Sequence, residues 1–136
     1  MNSGFNQTIA NETLVKESKT LKIKLEEAFN SQPCLVIYLG KSMGKRFLLT
    51  PKPQAIGRDS ECEIPVLDRS LSRKHAQVFK KGAGRYYIKD LGSTNGTFIN
   101  DRKLLPGQAV AMKDGDFIKL GNLIFKFIAK GKIDNV

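Results

Sequence analysis

Apolar residues from Cys34 to Ile128 fall in short runs, many of which alternate with polar residues, as along Phe117, Ile118, Lys119 and Leu120. Alternation with a period of two is typical of half-buried β-strands. Gly, Pro, Asn and Asp separate the runs, and no segment of this region fits a helix longer than one turn. The pattern predicts ten strands, at residues 34–39, 45–49, 55–58, 63–66, 76–80, 86–90, 97–99, 109–112, 117–120 and 123–128. We therefore expect an all-β domain that is either a sandwich or a barrel.

The first 32 residues follow a different pattern. Residues 1–10 are polar, and we expect them to form a flexible tail. A short amphipathic helix is predicted over about residues 12–29 from apolar residues at near-helical spacing, namely Leu14, Leu21, Leu25 and Ala28. The expected organisation is an N-terminal tail with this helix at 1–32, a β-domain at 33–130, and a C-terminal end or linker at 131–136.

The positive charge of the chain lies in the predicted β-domain. Lysine and arginine number 23 against 13 acidic residues, which gives a formal net charge of +10. Residues 1–32 hold four lysines and four glutamates, so the whole excess belongs to residues 33–130. Such an excess favours an anionic partner such as nucleic acid, anionic lipid or a phosphoprotein. Solubility explains a charged surface equally well, so charge alone does not decide between these partners.

Length and composition exclude several classes of protein. A chain of 136 residues is too short for a TIM barrel or a two-domain enzyme. No apolar stretch approaches the ~18 residues of a membrane helix, and no signal-peptide pattern is visible. Cys34 and Cys62 are too few for a disulfide framework or a zinc site, and we interpret them as reduced core thiols. We expect a cytoplasmic protein without a metal, a cofactor or a membrane partner.

Two short motifs suggest catalysis or nucleotide binding, but each lacks an essential part. Gly40, Lys41 and Ser42 resemble the end of a phosphate-binding loop, yet Leu35 stands where that motif needs a glycine, and a strand follows instead of a helix. His75 is the only histidine, and Ser72 near it has no nucleophile-elbow sequence. We therefore expect Gly40, Lys41 and Ser42 to form a hairpin turn. We expect His75 to have a structural role, in which one ring nitrogen donates a hydrogen bond and the other accepts one. We expect no enzymatic activity.

Three separated segments combine side chains that suit a phosphate group on a peptide. They are Ile56-Gly57-Arg58-Asp59, Ser70-Leu71-Ser72-Arg73-Lys74-His75, and Asp90-Leu91-Gly92-Ser93-Thr94-Asn95-Gly96-Thr97. Each segment lies at a strand end or in a loop, and loops from different strands gather at one end of a sandwich. Arginine matches phosphate oxygens with a planar fork of donors, serine adds a short donor, and asparagine pairs with a peptide backbone. A glycine beside the arginine lets the backbone turn without a side chain in the way.

In these segments the chain resembles the forkhead-associated (FHA) domain, a family of β-sandwiches that bind phosphothreonine peptides. The resemblance covers about residues 33–130, and Leu105-Pro106-Gly107 and the stretch 114–121 also look like the end of that fold. It implies an eleven-stranded, two-sheet β-sandwich. It also implies a phosphothreonine-dependent module of intracellular signalling, which we expect to be the N-terminal regulatory domain of a larger signalling protein.

The resemblance also implies a role for individual residues. Arg58 and Ser72 would contact the phosphate, and Arg73 would add a contact through its backbone N–H, its side chain or both. Thr94 would help to bind the phosphothreonine, and Asn95 would hold the ligand backbone. The site would be supported by three residues, Gly57, His75 and Gly96. Arg69 and Arg73 are candidates for contact with the third residue after the phosphothreonine.

The implied partner is a phosphothreonine-containing protein or peptide, with a Ser/Thr kinase acting upstream. Thr8 and Thr13 in the N-terminal tail are candidate phosphorylation sites. A tether of ~20 residues gives a high effective concentration, so we hypothesise that the domain binds its own phosphorylated tail, within one chain or between chains. The helix predicted at 12–29 has a competing use in dimerisation or in packing against the sandwich.

The alternative function is that of a basic β-barrel that binds single-stranded nucleic acid. Such a barrel needs aromatic side chains on which bases can stack. Six candidates exist, namely Tyr86, Tyr87, Phe98, Phe117, Phe125 and Phe127. Most of them lie at strand positions that suit a core, so we expect no nucleic-acid partner.

Overall fold

The structure, a computed structural model, describes residues 18–23 and 32–130, and within these ranges eleven strands form two sheets. The strands are β1 (Cys34–Leu39), β2 (Arg46–Leu48), β3 (Gln54–Gly57), β4 (Ile64–Pro65), β5 (Ala76–Lys81), β6 (Arg85–Asp90), β7 (Thr97–Ile99), β8 (Arg102–Lys103), β9 (Val110–Ala111), β10 (Phe117–Leu120) and β11 (Leu123–Ile128). The eleven-stranded, two-sheet sandwich is therefore confirmed. The ten strands predicted from the pattern agree with the observed ones to within one residue at each end. Only β8 has no counterpart, because both of its residues are basic and exposed.

The two sheets pack face to face around one core. One sheet has the order β2-β1-β11-β10-β7-β8 and the other β4-β3-β5-β6-β9. All neighbours are antiparallel except β3 and β4, which are parallel. Since side chains alternate across a strand, every second residue enters the space between the sheets. Leu35, Ile56, Ile88, Ile118 and Phe125 are among the residues fully buried there.

The outer faces of both sheets carry aromatic side chains, which corrects one expectation. Tyr86, Phe125 and Phe127 are buried in the core, as their strand positions suggested. The other three aromatic residues of the six lie on outer faces, because they occupy the opposite phase of the alternation: Tyr87, Phe98 and Phe117. Only three of the six aromatic residues therefore lie in the core.

Residues 18–23 are helical and exposed, in agreement with the middle of the helix predicted at 12–29. The rest of that helix, Thr8, Thr13 and residues 131–136 lie outside the described residues. Across the described ranges, no helix is long and apolar enough to cross a bilayer. No group of three or more potential metal ligands occurs there either. Cys34 and Cys62 are buried and form no disulfide, and burial raises the pKa of both thiols.

The register of the strands brings five connections to one end of the sandwich, which we call the apical end. Ala76 at the start of β5 pairs with Asp90 at the end of β6, so the loops before β5 and after β6 adjoin. The end of β3 lies beside them, since Ile56 pairs with Ala76. The β1–β2 and β10–β11 turns reach the same end, where a Cβ on Gly40 would overlap Leu123 and a Cβ on Gly121 would overlap the backbone of Ser70.

Candidate functional site

His75 joins two of the apical loops through its buried ring. Nδ1 accepts a hydrogen bond of 3.1 Å from the backbone N–H of Ser72. Nε2 therefore carries the ring hydrogen and donates it to the carbonyl of Gly96 at 2.8 Å. The ring is fully buried, and its bond to Gly96 is made away from water. The ring of His75 thus bonds to the backbone of both loops, and it contacts Ser72 through the N–H of that residue rather than through its hydroxyl.

Gly57 allows the end of β3 to press against the loop that carries Ser72 and Arg73. A Cβ at position 57 would overlap the carbonyl of Arg73, so no other residue fits without moving the backbone. Two backbone hydrogen bonds join the segments at this point. The N–H of Arg58 donates to the carbonyl of Ser72 at 3.0 Å, and the N–H of Asp59 donates to the carbonyl of Arg73 at 3.1 Å. The close approach that glycine permits therefore sets where Arg58 leaves the sheet.

The side chain of Arg58 is held at its inner nitrogen. Nε donates to the carbonyl of Leu71 at 3.0 Å, which fixes the plane of the guanidinium. The residue is otherwise exposed and faces the loop of Ser72. An arginine fixed in this way presents its outer N–H groups in a defined direction, as bidentate recognition of an oxyanion requires.

Ser72 lies between the two loops and contacts both. Its hydroxyl oxygen accepts a 3.0 Å hydrogen bond from the backbone N–H of Thr94. Because that bond uses the oxygen as an acceptor, the hydroxyl hydrogen is available to an anion in front of it. Thr94 itself is exposed at the mouth of the site.

Asp90 organises the loop that carries Thr94 and Asn95. Its buried carboxylate accepts hydrogen bonds from the hydroxyls of Ser93 and Thr97 and from the backbone N–H groups of Gly92 and Ser93. Burial alone raises the pKa of this carboxyl, but the four hydrogen bonds outweigh it and hold the pKa below its usual range. Gly96, with φ of 87°, completes the turn in the left-handed region that glycine favours.

Ser70 ties the site to the β10–β11 turn. Its hydroxyl donates to Asp68 and accepts a 2.8 Å bond from the backbone N–H of Asn122. Bonds from the hydroxyl and N–H of Ser70 lower the pKa of Asp68. The carbonyl of Ser70 accepts a 2.9 Å bond from the side-chain amide of Asn95. The amide nitrogen of Asn95 is thus bonded to the neighbouring loop.

An open pocket of about 330 Å³ lies between these loops, and we call it the arginine pocket. Its lining is Arg58, Arg69, Ser70, Leu71, Ser72, Arg73, Thr94 and Asn95. All five residues predicted to bind the ligand line it, together with Arg69, which was a candidate for a flanking contact. The three predicted supporting residues, Gly57, His75 and Gly96, are buried behind it. Three arginines and no acidic side chain line the pocket, so it suits an anion.

Asp90, Ser93 and Ser70 hold the loops of the site through bonds that their sequence motifs do not predict. Each lies inside a segment that was quoted, but its partners are revealed only by the folded loops. The available signal was local: Asp and Ser at fixed offsets commonly accept hydrogen bonds from backbone groups two or three residues on. That signal predicts a turn. It does not show which residue of the site the turn positions.

The fold and the site together define a β-sandwich with an arginine-rich anion pocket formed by its loops. The family model for the FHA domain matches residues 55–121, which include every residue of the arginine pocket. The solution structure of the FHA domain of an Arabidopsis thaliana hypothetical protein has a TM-score of 0.66 and 30% identity, over 78% of this chain and 91% of that one. This chain belongs to the FHA domain family.

Two further relatives carry functional descriptions. An oxoglutarate dehydrogenase inhibitor of Corynebacterium glutamicum is 37% identical over 95 residues, which are 70% of this chain and 64% of that protein. The chain thus matches less than two thirds of the length of this relative. A solved structure from a study of phosphothreonine-dependent FHA domain interactions is 25% identical, with a TM-score of 0.62, over 78% of this chain and 100% of that one.

Replacement of Asp90 by Asn should destabilise the domain in a pH-dependent way. The folded-state pKa of Asp90 is lowered, so its ionised form stabilises the folded state above the ordinary aspartate pKa of about 3.9. That contribution is lost as the pH falls through the folded-state value. At neutral pH we expect Asp90→Asn to lower the free energy of unfolding by about 1–3 kcal/mol, because the amide cannot accept from all four donors. Urea denaturation at a series of pH values measures this difference.

The exposed Asp101 provides the matched control, since Asp101→Asn should change stability by less than about 0.5 kcal/mol. The other carboxyl groups are present in both proteins and cancel in the comparison. A destabilisation by Asp90→Asn that keeps its size from neutral to strongly acidic pH would contradict the assigned role of the charge.

Proposed function

We propose that this chain is a non-catalytic module that binds phosphothreonine-containing proteins in intracellular signalling, through the arginine pocket. One observation carries the proposal: the fixed guanidinium of Arg58 and the hydroxyl of Ser72 line the same pocket, and hydrogen bonds hold the loops around them. Membership of the FHA family supports it, because a structure from a study of phosphothreonine-dependent interactions shares this fold at 25% identity.

Arg58 and Ser72 are the central phosphate contacts in this proposal. A phosphate monoester carries about −1.5 to −2 charges at neutral pH and three strong acceptor oxygens. The outer N–H groups of Arg58 meet two of these oxygens side by side, and the hydroxyl of Ser72 donates to another. Arg73, which is exposed on the same pocket wall, adds a third donor.

Thr94 and Asn95 contact the rest of the phosphorylated residue. Thr94 lies at the mouth of the pocket with its backbone already anchored to Ser72, so its side chain is positioned beside the ligand. Asn95 exchanges its bond to the carbonyl of Ser70 for bonds to the ligand backbone. Such an exchange replaces one hydrogen bond by another, so it adds little energetic cost to binding.

The proposed partner is a protein phosphorylated by an upstream Ser/Thr kinase in the cytoplasm. The Corynebacterium relative is described as an inhibitor of an enzyme, which supports a regulatory binding role and not a catalytic one. The buried thiols of Cys34 and Cys62, which form no disulfide, suit a reducing compartment.

The nucleic-acid alternative gains no support from the family. The outward aromatic rings are also occupied by the protein's own lysines. Lys119 lies 5.6 Å from the ring centroid of Phe98, Lys126 lies 5.9 Å from Phe117, and Lys81 lies 5.9 Å from Tyr87. A base would have to displace these cations before it could stack.

Replacement of Arg58 by Ala should abolish most of the phosphopeptide affinity. We expect a loss of at least about 2 kcal/mol, or about 30-fold in Kd, if Arg58 is the central bidentate contact. Arg85→Ala is the matched control, because Arg85 is exposed at the other end of β6, away from the apical loops. The probe is the tightest binder from an oriented library of phosphothreonine peptides, and the readout is fluorescence anisotropy.

The same assay distinguishes phosphothreonine from its mimics. An unphosphorylated peptide should not bind measurably, and an aspartate replacement should bind poorly because it has one charge and the wrong shape. Phosphoserine lacks one methyl group and should lose about 1–3 kcal/mol if the pocket contacts that methyl. Equal affinity of wild-type protein and Arg58→Ala for the phosphopeptide would show that the site is assigned wrongly.

Phosphorylation of the chain's own tail is part of the proposal. Thr8 and Thr13 precede the domain by a short tether, which favours occupancy of the pocket by the same chain or a second copy. After treatment with a threonine kinase, mass spectrometry should locate phosphate at one of these residues, and the Nε–H signal of Arg58 in NMR spectra should shift. The double variant Thr8→Val, Thr13→Val should show no shift. Phosphorylation of the tail without a change at Arg58 would contradict self-binding.

A further inference from the structure

The outer face of the six-stranded sheet carries two rows of side chains that run across its strands. One row crosses β1, β11, β10, β7 and β8, and its members are consecutive register partners: Leu39, Ile124, Lys119, Phe98 and Lys103. The second row crosses β1, β11 and β10 and consists of Val36, Lys126 and Phe117. Core residues such as Ile37, Ile118 and Phe125 alternate with them along the strands, so the rows face outward. We call the two rows together the outer basic face.

The outer basic face has positive charge without acidic side chains to neutralise it. None of the six strands of this sheet contains Asp or Glu. Lys103, Lys119 and Lys126 form no ion pair with any residue that the structure describes. At the end opposite the apical loops, the carboxylates of Asp114 and Asp116 accept hydrogen bonds from backbone N–H groups. The face therefore favours an anionic partner.

Two lysines of this face lie over its aromatic rings. The ammonium of Lys119 is 5.6 Å from the ring centroid of Phe98, and that of Lys126 is 5.9 Å from the centroid of Phe117. Each ring contacts one side of an ammonium group, so an anion can meet the other side without displacing the lysine. The arrangement thus suits an anionic group better than a flat base, which would need the ring itself.

A β-bulge adds exposed apolar side chains at the border of the outer basic face. The register of β1 with β11 shifts between Ile37 and Leu39, so Tyr38 and Leu39 both lie on the outer side. They are 50% and 52% exposed, and Phe117, whose ring meets Tyr38 edge-on at 5.0 Å, is 38% exposed. Aromatic side chains favour the boundary between water and a bilayer, and lysines beside them can extend to lipid phosphates.

We propose that the outer basic face binds an anionic lipid surface as a peripheral contact. Its three lysines meet the lipid phosphates, while Tyr38, Leu39 and Phe117 enter between the headgroups. Five strand spacings of ~4.8 Å make the sheet about 24 Å wide, so this extended face suits a partner that is itself an extended surface. The cytoplasmic leaflet of a membrane provides the matching negative potential.

The lipid contact and the arginine pocket are separate. No residue of the outer basic face lines that pocket, so both surfaces can be occupied at once. The inference therefore goes beyond the proposed function and does not rest on it. The expectation of no membrane partner rests on the absence of a spanning segment, and a peripheral contact needs none.

The outer face of the five-stranded sheet provides an internal comparison. Lys81 lies 5.9 Å from the ring centroid of Tyr87, and Lys89 lies 5.8 Å from that of Phe79, so the same kind of cation–π pair occurs there. Its strands contribute none of the exposed large apolar side chains of the described residues, and the carboxylate of Glu63 is bonded to β3. We therefore expect the lipid contact on the six-stranded side only.

Co-sedimentation of the full chain with vesicles tests the inference. Vesicles of phosphatidylcholine with about 30% phosphatidylserine should bind the protein at about 0.1 M salt, and vesicles of phosphatidylcholine alone should not. The double variant Lys119→Gln, Lys126→Gln should lose about 30-fold in vesicle affinity, at about fivefold for each charge removed. Leu39→Ser should lose about fivefold, because its side chain no longer enters the interface.

The double variant Lys81→Gln, Lys89→Gln is the matched control, because it removes the same charge and two cation–π pairs from the other sheet. It should keep the wild-type vesicle affinity to within about twofold. Circular dichroism checks that each variant is folded. Equal losses in the two double variants would mean that net charge alone attracts the protein, and would overturn the inference.

Two further outcomes would assign the outer basic face to another partner. Absence of binding to the anionic vesicles would overturn the lipid contact and leave the face to an acidic protein. Analytical ultracentrifugation without vesicles should show the same molecular mass for the wild type and for Lys119→Gln, Lys126→Gln. A wild-type dimer that this variant dissociates would show that the face binds a second copy of the chain, which also contradicts the inference.

Discussion

A buried imidazole joins the two loops on which Ser72 and Thr94 lie. His75 accepts from the backbone of Ser72 and donates to the backbone of Gly96, so only one neutral tautomer satisfies both bonds. Loss of the ring would leave the buried carbonyl of Gly96 and the partly buried N–H of Ser72 without these partners, and an unsatisfied buried group costs about 1–3 kcal/mol. The loops of Ser72 and Thr94 are also joined by the bond from the N–H of Thr94 to the Ser72 hydroxyl and by that from the Asn95 amide to the carbonyl of Ser70. His75 thus helps to set the spacing between the donors of the arginine pocket, although its side chain does not face the pocket.

The other supporting groups extend the same principle around the site. Gly57 lets β3 approach the carbonyl of Arg73, Asp90 gathers four donors of its own loop, and Ser70 connects to the β10–β11 turn. These hydrogen bonds fix the directions of the donors around the arginine pocket, and donors that are already oriented lower the entropic cost of binding.

The sequence predicts most of the fold because alternation of apolar and polar residues is a local property. It identifies ten strands and places the binding motifs in loops that a sandwich brings together. It misses β8, where Arg102 and Lys103 pair with β7 without an apolar side chain. It also assigns too many aromatic residues to the core, because the phase of an alternation shows which residues share a face but not always which face is buried. Phe117 is an example, with 38% exposure.

The site could be predicted only as far as its residues form recognisable motifs. Arg58, Ser72, Thr94 and Asn95 are recognisable because their segments together match a family. The role of Asp90 depends on hydrogen bonds that the sequence cannot display. A pocket that Ile37, Val66 and Leu123 help to line combines three distant segments of the chain, so no local pattern predicts it.

The central claim is that the phosphate of a phosphothreonine peptide binds between the loops joined by His75. A crystal structure of the full chain with a high-affinity phosphothreonine peptide tests it most directly. The account predicts phosphate oxygens within hydrogen-bonding distance of the Arg58 guanidinium and the Ser72 hydroxyl, with both ring bonds of His75 retained. Phosphate bound elsewhere, for example to lysines on an outer sheet face, or a site formed only after the His75 bonds break, would contradict it.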